Sequence, residues 1–227
     1  MEGYASLISA CAVFVGSHFL MSHPLRSRLI TRLGNGGFLG FYSLVSFAAF
    51  GWMVWCFRQA PKGEYHWLPT DILWAIASIL TLLAAVFFIG SFSRNPALPN
   101  ADPDAGKALA AQSPKGMFLV TRHPMMWGFA LWGIAHILVA PRMDSFLFVG
   151  SLVFLALAGS WAQEGKKIAA LGDGWRSWQA RTSFIPRLTQ LGRIGWRLWL
   201  AGIVAWLIAT WTHNFFGAYG AGLFRWL

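Results

Sequence analysis

The stretch Ile72–Phe92, "ILWAIASILTLLAAVFFIGSF", holds no charged residue and is long enough to cross a bilayer as a helix, which takes about 20 apolar residues. Working outward from it, comparable apolar blocks occur at Tyr4–Ser22, Gly36–Phe57, Met125–Ala140, Ser145–Trp161 and Leu198–Phe216. The spacing predicts an all-α polytopic bundle of about six transmembrane helices, in one membrane domain over residues 1–227. The fourth and fifth blocks are short for a bilayer, so they either extend through polar flanks or are partly re-entrant. Pro141–Asp144 joins them as a tight hairpin.

Composition agrees with this. The chain is 56% hydrophobic and 11% charged, where a soluble domain carries about a quarter charged residues. Cys11 and Cys56 both sit inside apolar blocks and form no CxxC pair, which argues against a disulfide framework and a zinc site. The first apolar block has no basic residues before it and no convincing cleavage site after it, so it is expected to stay as a helix. A net charge of +10 raises the question of nucleic acid. Because the basic residues fill the connections between apolar blocks, orientation and anionic lipid account for them better. The expected partner is the lipid bilayer, and no nucleic acid.

The distribution of those charges sets an orientation. Arg26, Arg28 and Arg32 lie in the first connection, and Arg94, Lys107, Lys115 and Arg122 in the third. Lys166, Lys167, Arg176, Arg181, Arg187, Arg193 and Arg197 lie in the fifth. Fourteen of the eighteen Lys and Arg residues are thus on one side, with Arg58, Lys62, Arg142 and Arg225 on the other. The positive-inside rule makes the fourteen cytoplasmic. In a bacterium the chain would then be a multi-pass inner (cytoplasmic) membrane protein with both termini periplasmic. The Pro-, Ala- and Asp-rich connection Ser93–Gly116 reads as a mobile cytoplasmic loop.

Ionisable residues within membrane sequence are costly and so are candidates for function. In "GSHFLMSHPLR", His18, Ser22 and Arg26 fall on one helical face at a spacing of four, with His23 about 140° away. Pro24 removes an amide from the ladder, so the helix kinks or restarts there. One reading is an interfacial histidine capped by snorkelling basic residues; the other is a bundle-facing metal or haem ligand. In "LVTRHPMMWGFALWGIAHILVA", Leu119–Ala140, the residues Arg122, Met125, Phe129, Trp132 and His136 share one side of a helix, and His123 lies about 140° off. His136 is about 20 Å along the axis from His123 and is the most deeply intramembrane ionisable residue. It is either an interhelical hydrogen-bond donor or a ligand. Residues 162–197 read as a cytoplasmic amphipathic segment. Within it Glu164 follows an apolar block, and Trp175, Trp178 and Pro186 give it a specific shape. A basic helix lying on the headgroups is the alternative. His213, beside Asn214 at the outer end of the last block, is expected to be dispensable.

Taken together, SHFLMSHPLR, then RHPMMWGFALWGIAH, then a glutamate followed by LG, two tryptophans and TSFIP resemble the NnrU family of bacterial inner-membrane proteins, from Gly16 to Pro186. That resemblance implies an association with nitrogen-oxide respiration (denitrification). Relatives of the family, the 15-cis-zeta-carotene isomerases, are haem b proteins that isomerise a polyene without net redox change. Their ligand histidines fall on His18 and, through the W-x-I-A-H match, on His136. The resemblance thus implies haem b, an apolar small-molecule ligand, isomerase-like chemistry, and His18 and His136 as metal ligands; Arg26 and Arg122, on the faces of those histidines, and His123 are the further cofactor-binding candidates. The isomerase cysteine three residues before the second histidine is Gly133 here, so a thiolate ligand is missing.

Depth argues differently: His18 and His123 match in depth better than His18 and His136, which keeps His123 as the alternate ligand. A more distant similarity, to isoprenylcysteine carboxyl methyltransferases, rests on Arg122, His123, Pro124 and Gly128 and on Glu164, Leu171, Gly172, Trp175 and Trp178. It implies S-adenosylmethionine at the cytoplasmic mouth, although Met126 and Gln163 depart from that family's pattern. A non-catalytic membrane assembly protein is the third reading.

Overall fold

The computed structural model describes residues 2–93, 95–96, 105–215 and 220–227. It is helical, with no strand among the described residues. The helices are α1 (Ala5–Ser22), α2 (Arg26–Gln59), α3 (Asp71–Gly90), α4 (Ala105–Ala111), α5 (Pro124–Val139), α6 (Met143–Leu171), α7 (Asp173–Arg181) and α8 (Trp196–Thr212). Five of them, α1, α2, α3, α6 and α8, are long and apolar enough to cross a membrane, and α5 is a shorter apolar helix. The chain is therefore an all-α polytopic membrane bundle, and all six expected blocks are helical.

The structure differs from the sequence reading in three places. α2 begins at Arg26, not Gly36, so Arg26, Arg28 and Arg32, expected in a connection, are helical. The fifth apolar block ends near Trp161, yet α6 continues through Glu164, Lys166 and Lys167 to Leu171. Those polar residues stay helical because other segments supply their partners. The third connection contains α4, which packs on α7; residues 94 and 97–104 of the mobile loop expected there lie outside the described residues. Phe216, expected to end the last block, does so too.

Packing follows an arc. In order of contact the helices run α2, α1, α6, α5, α3, α8. One core joins α1, α2 and α6 through Leu7, Phe14, Met53 and Phe148. A second forms around Val86, Phe87, Met117 and Ile194. The ends of the arc, α2 and α8, make no substantial contact among the described residues. Glycine lets α8 approach α3 closely: a Cβ on Gly202 of α8 would collide with Val86 of α3.

Both termini lie at one end of the arc. Arg225 reaches Asp71 at 3.2 Å at the start of α3, and Gly3 packs against Pro61. The α5–α6 turn sits at the same end, where His66 N donates to Pro141 O at 2.9 Å. Asp144 is fully buried there, held by Lys62 at 3.0 Å and Arg142 at 3.1 Å. At the opposite end lie the α1–α2 turn, α4 and α7. Pro24 does end a helix: α1 stops at Ser22 and α2 starts at Arg26, as a missing amide requires. Gly34, at φ 68°, breaks α2 near its start, a conformation open to glycine without steric cost.

Candidate functional site

The Arg122–His123–Pro124 motif opens α5. Pro124 occupies the first turn, where its lack of an amide costs nothing. The backbone before it pairs with the TSFIP stretch: Arg122 N donates to Ser183 O at 2.8 Å, and Arg187 N to Val120 O at 2.9 Å. Thr121 Oγ1 and Trp127 Nε1 both donate to Phe184 O at 2.8 Å. These bonds hold the Arg122 and His123 side chains against the last turns of α6.

There Glu164 collects four donors. Arg122 Nε donates to Oε1 at 2.7 Å, and His123 Nε2 donates to the same oxygen. Trp175 Nε1 donates to Oε2 at 3.0 Å, and Gln179 Nε2 donates to it as well. An ionised carboxylate offers about four acceptor sites, so this one is filled. Filled in this way, Glu164 ties α5, α6 and α7 together and has no lone pair left for a substrate proton or a metal. Trp175 and Trp178 are fully buried beside Leu109 and Phe118. They pack a small core, not a face turned to the headgroups.

The other candidates line a different place. A cavity of about 1940 Å³ on the inside of the arc is bordered by His18, Ser22 and Arg26 and also by Trp132, His136 and His213. His123, Arg122 and Glu164 do not line it. The expected face of His18, Ser22 and Arg26 is therefore brought together, although Arg26 belongs to the next helix. Arg26, Lys166 and Lys167 mark one mouth, where Lys166 Nζ donates to Ser22 O at 3.3 Å. Arg142 and Arg225 mark the other. Aromatic rings form much of the wall between them.

The two sequence-singled imidazoles in the cavity are alike in their local bonding. His18 Nδ1 is 2.7 Å from Phe14 O, and His136 Nδ1 is 2.7 Å from Trp132 O. A carbonyl oxygen only accepts, so each Nδ1 is the donor and each Nε2 is the nitrogen not engaged by that carbonyl. They are placed towards opposite ends. His18 is about one turn from the end of α1 at the basic mouth, whereas His136 is about one turn from the far end of α5. Gly133 faces elsewhere: a Cβ there would meet Val149 Cγ1 at 3.0 Å on α6 and collide with Val153.

The sequence reading gives no role to Gln179 or Asp144, and it sets His213 down as dispensable. Gln179 follows Trp175 by four positions and so shares its helical face, a signal that was available. Asp144, a lone acid opening an apolar block, was legible as an oddity but not its partners. His213 turns out to stand beside His136. Among the described residues no three His, Cys, Asp or Glu side chains gather to hold a metal ion.

The family model of the NnrU protein matches residues 6–219, and the chain belongs to that family. No curated protein and no solved structure matches the chain.

Proposed function

Starting from membership of the NnrU family, we propose that this is a haem b-binding protein of the bacterial inner membrane that serves nitrogen-oxide respiration. Its termini lie in the periplasm and its basic connections in the cytoplasm, as the split of Lys and Arg argues. The observation that carries the haem reading is the cavity. It is about 1940 Å³ in volume and bordered by imidazoles whose Nδ1–H groups are anchored on backbone carbonyls. Anchoring one ring nitrogen fixes the tautomer and orients the other for a metal, the usual arrangement around histidine ligands. The likeness to the isomerases implies His18 and His136 as ligands; because they lie towards opposite ends of the cavity, one iron takes only one of them, and Arg26 is placed to meet a carboxylate at the mouth beside His18. Haem would supply an iron centre within the bilayer.

An isomerase-like activity on an apolar polyene is the finer form of this reading. Against the thiolate variant stands Gly133, whose position is packed on α6 with no room for a side chain. The alternative, a methyltransferase using S-adenosylmethionine, rests on Arg122, His123 and Glu164. Because the Glu164 carboxylate is already filled, that cluster is better explained as a tie between helices. A non-catalytic assembly role fits the tie equally but leaves the cavity without a purpose.

The test is absorbance of protein purified in detergent after expression with haem supplied. A Soret band at about one haem per chain is expected. Its absence, with stabilisation by S-adenosylmethionine instead, would favour the methyltransferase.

A further inference from the structure

The cavity on the inside of the arc is bordered by five Lys and Arg side chains, Arg26, Arg142, Lys166, Lys167 and Arg225, and by no carboxylate among the described residues. At the end that holds both termini the charges are met from outside the cavity. Arg142 bonds Asp144 at 3.1 Å there, and Arg225 bonds Asp71 at 3.2 Å. The other mouth has no such balance. Arg26 lies over the Phe38 ring, 5.7 Å from its centroid. Lys166 Nζ donates to Ser22 O at 3.3 Å, and Lys167 Nζ to Pro96 O at 3.1 Å. Neither Arg26 nor Lys166 meets a carboxylate among the described residues. A ring face and a carbonyl carry partial charge only, so this mouth keeps a positive field, which apolar walls focus.

Beyond the cations the wall turns apolar, with Phe38 and Leu39 of α2 and Leu152 and Leu155 of α6 along it. α6 borders the cavity as far as Leu152, eleven residues from Gln163 at the mouth. That is a rise of about 16 Å at 1.5 Å per residue. One leaflet is half of a hydrocarbon layer about 30 Å thick, so about 15 Å deep. An acyl chain whose headgroup sits among the cations thus ends where the α6 wall ends. Such a chain can enter sideways from the bilayer. The ends of the arc, α2 and α8, make no substantial contact among the described residues, which leaves the cavity open between them.

We propose that this mouth holds the phosphate of an anionic phospholipid, with Arg26, Lys166 and Lys167 around the headgroup and an acyl chain along the wall of α2 and α6. Phosphate suits the set, since guanidinium meets it with two parallel bonds and an ammonium meets it as a point charge. Asn35 and Gln163 border the same mouth and bring amide donors. A basic pocket between membrane helices recognises a headgroup, whereas basic residues on the surface attract anionic lipid in general. Arg28 and Arg32 supply the contrast, because they lie at the same end of α2 and do not border the cavity. The inference goes beyond the haem reading and does not need it. It draws on Lys166 and Lys167, to which that reading gives no part.

The experiment counts lipid on the full chain in detergent by native mass spectrometry, after addition of phosphatidylglycerol or, separately, phosphatidylcholine. The parent is expected to retain one phosphatidylglycerol and at least ten-fold less phosphatidylcholine. Arg26→Gln combined with Lys166→Gln is expected to lower phosphatidylglycerol retention at least ten-fold. Arg28→Gln combined with Arg32→Gln removes the same charge and is expected to keep it. A Cβ on Gly159 meets Leu155 Cδ1 at 3.8 Å, an ordinary contact, so Gly159→Phe adds a ring to the cavity and leaves every cation in place. It is expected to expel the lipid as well. Equal losses in the two double variants would overturn the site in favour of surface attraction. Equal retention of both lipids by the parent, or full retention in Gly159→Phe, would overturn it too. Absorbance of the same samples, expressed with haem supplied, keeps the two readings apart. Lipid selectivity without a Soret band would overturn the haem reading alone, and a Soret band without lipid selectivity would overturn this site alone.

Discussion

Arg122 and Glu164 stand 2.7 Å apart at one end of the bundle, each with only 12% of its side chain exposed. Their bond joins the start of α5 to the last turns of α6. His123, Trp175 and Gln179 complete the same carboxylate. Breaking a buried, hydrogen-bonded ion pair by removing one partner costs about 3–5 kcal/mol. Glu164→Gln is therefore expected to lower the melting temperature in detergent by about 10 °C. Haem content measured in the cold should be preserved. An unchanged melting curve would show that the cluster does not hold the helices together.

His123 belongs to this tie and not to the cavity. His123→Ala is accordingly expected to behave like a milder Glu164→Gln, losing stability while keeping the parent absorbance spectrum. His136→Ala should do the reverse and lose the Soret band at nearly full stability. Haem loss in His123→Ala at full stability would return His123 to the ligand set.

The contact of α3 with α8 depends on the bare backbone at Gly202. Filling it with Gly202→Val is expected to destabilise by about 1–3 kcal/mol, the usual range for overpacking. A Cβ on Gly150 of α6 meets nothing within 4 Å, so Gly150→Ala should leave the melting temperature within error of the parent. Equal melting of the two variants would argue against the packing described for α3 and α8.

Orientation is tested by fusion. A reporter that works only in the cytosol, placed after Leu227, should be silent, and the same reporter inserted after Lys107 should be active. Activity at Leu227 would invert the assignment of the basic connections.

The bundle was legible because apolar runs about 20 residues long leave few alternatives to membrane helices. The separation of His123 from His136 was legible too, since their difference in angle along one helix put them on opposite sides. What escaped the sequence was the continuation of α6 beyond Trp161. Glu164, Lys166 and Lys167 read as a polar connection, and their partners, among them Arg122, His123, Ser22 and Pro96, come from segments distant in sequence. His213 escaped for the same reason. It was set aside as an outer-end residue, because nothing local reveals that α8 returns beside the end of α5.

α6 carries one buried carboxylate near each end, Asp144 and Glu164, and each is held by arginine from a neighbouring segment. The rise between them is about 30 Å, which is also the thickness of a typical hydrocarbon layer. The helix is thus a gauge with a charged stop at either end. A thicker bilayer would have to thin around it or draw an ion pair into hydrocarbon, and a thinner one would have to stretch or leave apolar turns in water. Each ångström of mismatch costs a fraction of a kcal/mol, so the two pairs tie the cavity between them to membranes of one thickness.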